Sequence, residues 1–107
     1  MLITNTDYIV GKEITEMMGI VRGHTIRAKH LGNDIVSGLR NLVGGEMKEY
    51  SKMLEEARDI AMNKMLDEAN QMNADAIINI RFSTSAVMQG AAEILVYGTA
   101  VKLKDKE

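Results

Sequence analysis

The stretch from Glu46 to Met72, EMKEYSKMLEEARDIAMNKMLDEANQM, constrains the fold more than any other part of the chain. It holds no Gly and no Pro and is built largely from Ala, Leu, Met, Glu and Lys, the strong helix formers. Tyr50, Met53, Leu54, Ala57, Ile60, Ala61, Met65, Ala69 and Met72 recur along one face at a period of 3.6. Charged residues, among them Lys52, Glu55, Glu56, Asp59, Lys64 and Asp67, fill the other side. Glu55 and Asp59 are like charges one turn apart, so packing of the stripe and not surface ion pairing must hold this helix. At 1.5 Å per residue it runs to roughly 40 Å. A compact domain of this chain length is only about 34 Å across, from a radius of gyration near 13 Å. The helix is therefore expected to overhang its own domain and to offer its stripe to a partner subunit.

A chain of 107 residues is one domain, read over residues 1–107, with a modest core. The formal net charge of −2 argues against a generic nucleic-acid or anionic-membrane binder. The absence of cysteine excludes disulfides, thiol catalysis, iron–sulfur clusters and Cys-based zinc sites. No signal peptide and no long apolar run is visible, which gives the expectation of a soluble cytoplasmic protein. Nine Met against one Phe and no Trp describe a core of aliphatics and thioethers, where Met fills irregular gaps. A Cu(I) thioether site is the less frequent reading of such a composition.

In chain order, Leu2-Ile3 is a short apolar lead, Asn5-Thr6-Asp7 a turn, and Tyr8-Ile9-Val10 a strand candidate broken by Gly11. Lys12 to Lys29 reads as extended, with apolar residues of both parities, the pattern of a strand contacted on both faces. Fully extended it exceeds 50 Å or so, too long for one strand in a small domain, so Gly19 and Gly23 are the expected bends. Ile35 to Val43 is a short amphipathic helix, ended by Gly44-Gly45. Asn73 closes the long helix in the left-handed conformation. Ala76 to Ala86 is a strand, Met88-Gln89-Gly90 a hairpin turn, and Ala92 to Lys104 the return strand. The expected subunit is α+β, a two-layer β–α–α–β–β domain with an antiparallel sheet. Two helices cover one sheet face only, and the apolar residues left on the other point to self-association.

Candidate chemistry is sparse. His24 and His30 are the candidate metal ligands, yet along a regular strand they lie about 20 Å apart. A metal ion would need copies from several subunits, with Glu16 or Asp34 joining them. Arg22, His24, Arg27, Lys29 and His30 form a basic segment that suits a phosphate or carboxylate, though charged strand edges also serve to block aggregation. The corner Gly44-Gly45-Glu46, with Arg40 and Arg58 facing it, is the candidate small-anion site; a structural ion pair to Glu46 is the more frequent reading. Asp75 opens a strand with no acid–base partner, and Ser83-Thr84-Ser85 has no histidine base nearby. These residues favour a binding or scaffold protein over an enzyme, with no cofactor specified beyond a metal ion.

The run Asp34…Gly38-Leu39-Arg40-Asn41…Val43-Gly44-Gly45-Glu46…Tyr50 carries a resemblance, continued by Glu56-Ala57-Arg58…Ala61, Ala74-Asp75-Ala76-Ile77-Ile78 and Tyr97-Gly98-Thr99-Ala100-Val101. In that order, over nearly the whole chain, these residues resemble the YbjQ-like family. That family consists of small bacterial and archaeal proteins of unknown function, sometimes labelled heavy-metal-binding. The resemblance implies a dodecin-like subunit and a ring-shaped homopentamer, with sheet edges and helices packed between neighbours. The chain departs from the family pattern at Asn73 and Asn79, where Gly is common. Asn79 would place a side chain where a backbone is closely approached, and so bears on any ligand contact there.

Overall fold

A computed structural model describes residues 1–28, 45–88 and 91–107, with side chains for 1–27, 51–88 and 91–107. The described elements are β1 (Leu2–Ile3), β2 (Lys12–Ala28), α1 (Gly45–Gln71), β3 (Ala76–Met88) and β4 (Ala91–Asp105). The strands form one sheet in the order β1-β3-β4-β2, with α1 across one face. The short helix expected over Ile35 to Val43 and the turn residues Gln89 and Gly90 lie outside the described residues.

The sheet is mixed, not purely antiparallel. Leu2 and Ile3 pair parallel with Ala76 and Ile77, whereas β2–β4 and β3–β4 are antiparallel. The apolar lead is thus a strand, and Tyr8 to Val10 is not. There the Thr6 hydroxyl donates to the Tyr8 carbonyl at 2.7 Å, and the Lys12 amide donates to Ile9 across a turn. Gly11, at φ 79°, takes the left-handed position of that turn.

One unbroken element of 17 residues, β2 is longer than expected for a domain of this size. Two register shifts, between Ile14 and Glu16 and between Met17 and Gly19, accommodate it, and Gly19 at φ 113° sits at the second. Gly23 is no bend; it pairs in register with Val96. A Cβ there would lie 2.0 Å from the Ala61 carbonyl oxygen and 2.6 Å from the Met65 nitrogen, so glycine lets the helix backbone rest on the strand.

The helix meets the sheet through Ala57, Ala61, Met65 and Ala69, all fully buried, at successive intervals of four. They pack on Val21, Ile77, Ile80, Ile94, Val96 and Ala100. Met62 and Leu66, outside the expected stripe, join this core as partly buried neighbours and widen the apolar band towards β3. At its end the helix closes on a Schellman motif: Asn73 donates to Asn70 at 3.0 Å and Ala74 to Ala69 at 3.1 Å. Asn73 stands at φ 61°, the left-handed conformation expected of it. A second, smaller cluster of Ala76, Ile78 and Val101, with Ile9, Ile14 and Leu103, fills the opposite sheet face near the start of β3.

Candidate functional site

Among the described residues, the surfaces most open to a ligand or partner include the edge of β3, the shelf beside α1, and the sheet face turned away from the helix. The edge begins where the N-terminal segment stops pairing. Thr4 and Thr6 accept from the Ile80 and Asn79 amides at 3.1 and 3.0 Å, and the Asn5 carbonyl accepts from Arg81 Nη1 at 2.8 Å. From Phe82 to Met88, nothing among the described residues pairs with that side of β3. This stretch, FSTSAVM, is exposed throughout and carries neither charge nor Pro. The opposite sheet edge, β2, carries Glu13, Glu16, Arg22, His24 and Arg27, the side chains that ordinarily keep an edge from pairing.

The shelf lies on the helix side of β3. Val96 faces the core, and Phe82 is its cross-strand partner, yet Phe82 stays 46% exposed because α1 lies mainly over β2 and β4 and the core it forms with β3 ends at Ile80. Ile3, Thr4, Asn5, Met62, Ile80 and Phe82 line an apolar hollow of about 300 Å³ there. A bulge shapes its floor: Asn79 and Ile80 together oppose Gly98, and Asn79 stands at φ 54°. Asn79 thus holds a left-handed conformation that Gly adopts most readily and that Asn also tolerates.

On the face away from α1, strand alternation and register align Arg22, Tyr97 and Arg81 in one row across β2, β4 and β3. The next row is His24, Leu95 and Ser83, and the one after it Ile26, Glu93 and Ser85. Ile20 and Ile26 are 68% and 58% exposed here and Tyr97 is 40% exposed. At the opposite end of the sheet, Lys12–Asp105, Lys102–Asp75 and Lys104–Glu13 pair off their charges. Asp75 accepts from the Leu103 amide at 2.8 Å; that bond and then Lys102 hold its carboxyl below the ordinary carboxylate range, against a smaller opposing effect of burial.

The residues singled out from sequence are only partly brought together. Arg58 is exposed on α1, about 18 Å along the helix from Gly45 and Glu46, beyond the reach of its side chain. Arg40, Gly44 and His30 lie outside the described residues, as does the side chain of Glu46. His24 is exposed on the outer row, and its carbonyl accepts from Lys64 Nζ at 3.0 Å. Among the described residues no three His, Cys, Asp or Glu side chains come together in a metal-ligand group, and the whole chain lacks thiols. No helix among the described residues is long and apolar enough to cross a membrane. Sequence reading missed Arg81 and Tyr97 as a pair; only the cross-strand register joins residues so far apart in the chain.

The chain is similar throughout its length to proteins without an assigned activity. It is 63% identical to a UPF0145 protein of Methanosarcina acetivorans over 106 residues, covering 99% of this chain and 100% of the relative. A UPF0145 protein of Clostridium novyi is 59% identical over 103 residues, covering 96% and 99%. A crystal structure from Pediococcus pentosaceus, a protein of unknown function assigned to the DUF74 family, superposes with a TM-score of 0.67 at 18% identity. The match covers 97% of this chain and 98% of that one and shows the shared fold. Residues 1–104 match the YbjQ family model, described as putative heavy-metal-binding, and the chain belongs to that family.

Proposed function

We propose that the protein works as a homo-oligomer, a self-assembling scaffold or small-ligand binder, in which β3 of one subunit continues its sheet into a neighbour. The observation that carries this is the uncharged, exposed β3 edge from Phe82 to Met88, lying beside the apolar shelf of Ile3, Met62, Ile80 and Phe82. An edge of this kind is a template for strand addition, and an apolar shelf next to it supplies the burial that strand pairing alone lacks. Joining the β3 edge of one copy to a different surface of the next is a head-to-tail contact, which closes into a ring when the rotation per subunit allows. The family resemblance supplies the number five for that ring.

Native mass spectrometry of the purified protein tests this reading. A closed oligomer, five-fold for the pentamer, is the expected result, and excess mass on it would mark a bound small ligand. A monomer across the micromolar range overturns it, and a dimer would replace the ring by a two-fold β3–β3 contact. Metal handling through His24 and His30 of several subunits is the second reading, which no geometric observation favours. Unchanged metal uptake after alanine replacement of both histidines rejects it.

A further inference from the structure

Two arginines flank one exposed tyrosine on the sheet face opposite the helix. Arg22 pairs with Tyr97 across β2–β4, and Arg81 pairs with the same Tyr97 across β3–β4. Val21 and Gly23 turn towards the helix on either side of Arg22, and Val96 and Gly98 do so on either side of Tyr97, which puts the row on the outer face. Arg22 and Arg81 stand two strand spacings apart, about 10 Å between their Cα atoms. Arg81 is anchored: Nη1 donates to the Asn5 carbonyl at 2.8 Å and to its neighbour Ile80 at 2.9 Å, while Nε and Nη2 carry further donors. Among the described residues neither arginine has a carboxylate within ion-pair distance. The adjoining row on one side is Ile20, Thr99 and Ile78, that on the other His24, Leu95 and Ser83, none of them acidic. Among the described residues the nearest acid on this face is Glu93, two rows away beside Ile26 and Ser85.

From this juxtaposition we infer that the Arg22–Tyr97–Arg81 row binds an elongated polyanion, a di- or triphosphate group lying across the strands. The spacing selects the ligand. One phosphate reaches one guanidinium, whereas a linked chain of phosphates spans from Arg22 to Arg81 and passes the Tyr97 hydroxyl, a donor between them. Arg81, already fixed by two carbonyls, loses little freedom on binding. Glu93 closes the face towards the end of β3 and the start of β4 by repulsion, so the anion runs along the row and not along the strands. An edge-to-edge oligomer leaves this face open, so the site stands or falls separately from the assembly.

Isothermal titration of the intact protein with tripolyphosphate, and in parallel with inorganic phosphate, tests the inference. Tripolyphosphate is expected to bind at one site per subunit, at least roughly ten-fold more tightly than inorganic phosphate. Arg22→Gln is the decisive variant, because Arg22 is exposed and forms no ion pair among the described residues. It should weaken tripolyphosphate roughly ten-fold or more, while Arg22→Lys recovers part of the loss and both keep the wild-type circular dichroism. Arg81→Gln should weaken binding comparably, checked against its melting temperature since it also releases Asn5. No heat at millimolar tripolyphosphate overturns the inference. So does equal affinity for the two anions, or binding unchanged in Arg22→Gln, either of which would mean an adventitious ion only.

Discussion

Gly23 is the residue on which the packing of the two layers turns. Its missing side chain admits the Ala61 carbonyl, and the atoms a Cβ would strike are helix backbone, which cannot swing aside. Gly23→Ala should therefore destabilise by about 3 kcal/mol, at the upper end of overpacking effects. Gly98→Ala is the milder comparison, because the nearest backbone atom there, the Ile78 carbonyl oxygen, stands 3.0 Å from the added Cβ against 2.0 Å for the Ala61 carbonyl at Gly23, though the Ile77 Cγ2 at 2.6 Å must also give. Urea midpoints at one protein concentration compare them; a Gly23→Ala loss no larger than that of Gly98→Ala would refute the account. Asp75 makes a different point. Its carboxyl is held low by the Leu103 amide and then by Lys102, so its stabilising effect is full above the unfolded carboxylate pKa, near 4, and is lost as pH falls through the lower folded value. Between about pH 5 and pH 2, Asp75→Asn should thus lose less melting temperature than wild type. Some acid sensitivity must remain, since Lys12 also holds Asp105 low. Parallel melting curves for the two proteins would contradict the assignment.

Among the elements, α1 and β3 behave oppositely. The helix buries a row dominated by alanine, Ala57, Ala61 and Ala69, with Met65 as the one large fully buried side chain among its described residues. Small side chains bring it close to β2 and β4, while β3 beyond Ile80 stays exposed. Strand β3 is bonded on both sides only up to Ile80, and beyond that it has β4 alone among the described residues. A charge placed in that bare edge should block strand addition and leave the subunit's own fold intact. Thr84→Lys is the suitable change, because Thr84 is exposed and pairs with Ile94 without entering the core. Sedimentation velocity should show the assembly shifted towards monomer with helix content preserved; an undisturbed oligomer would place the interface elsewhere.

At the scale of the whole molecule the subunit is long and thin. Its Cα radius of gyration is 17.1 Å and its extents are 55 × 23 × 16 Å, against about 13 Å for a compact chain of this length. Such a shape buries little of its own surface, and Ile20, Ile26, Phe82 and Met88 stay exposed as a result. The sequence alone determined the 27-residue helix, the left-handed Asn73 that ends it and the β3–β4 pair, all within one element or its near neighbours. Those features depend on period, composition and turn chemistry, which are local. Tertiary structure decided the rest. Leu2-Ile3 became a strand because β3 offered it an edge, and Gly23 proved to be a packing contact because the helix lies against it. Arg58 parted from the Glu46 corner because both ride one rigid helix, about 18 Å apart. Arg22, Tyr97 and Arg81 met because two antiparallel registers align them. No short-range pattern encodes a register between strands so distant in the chain; it is fixed by which faces bury together and by where the bulges fall.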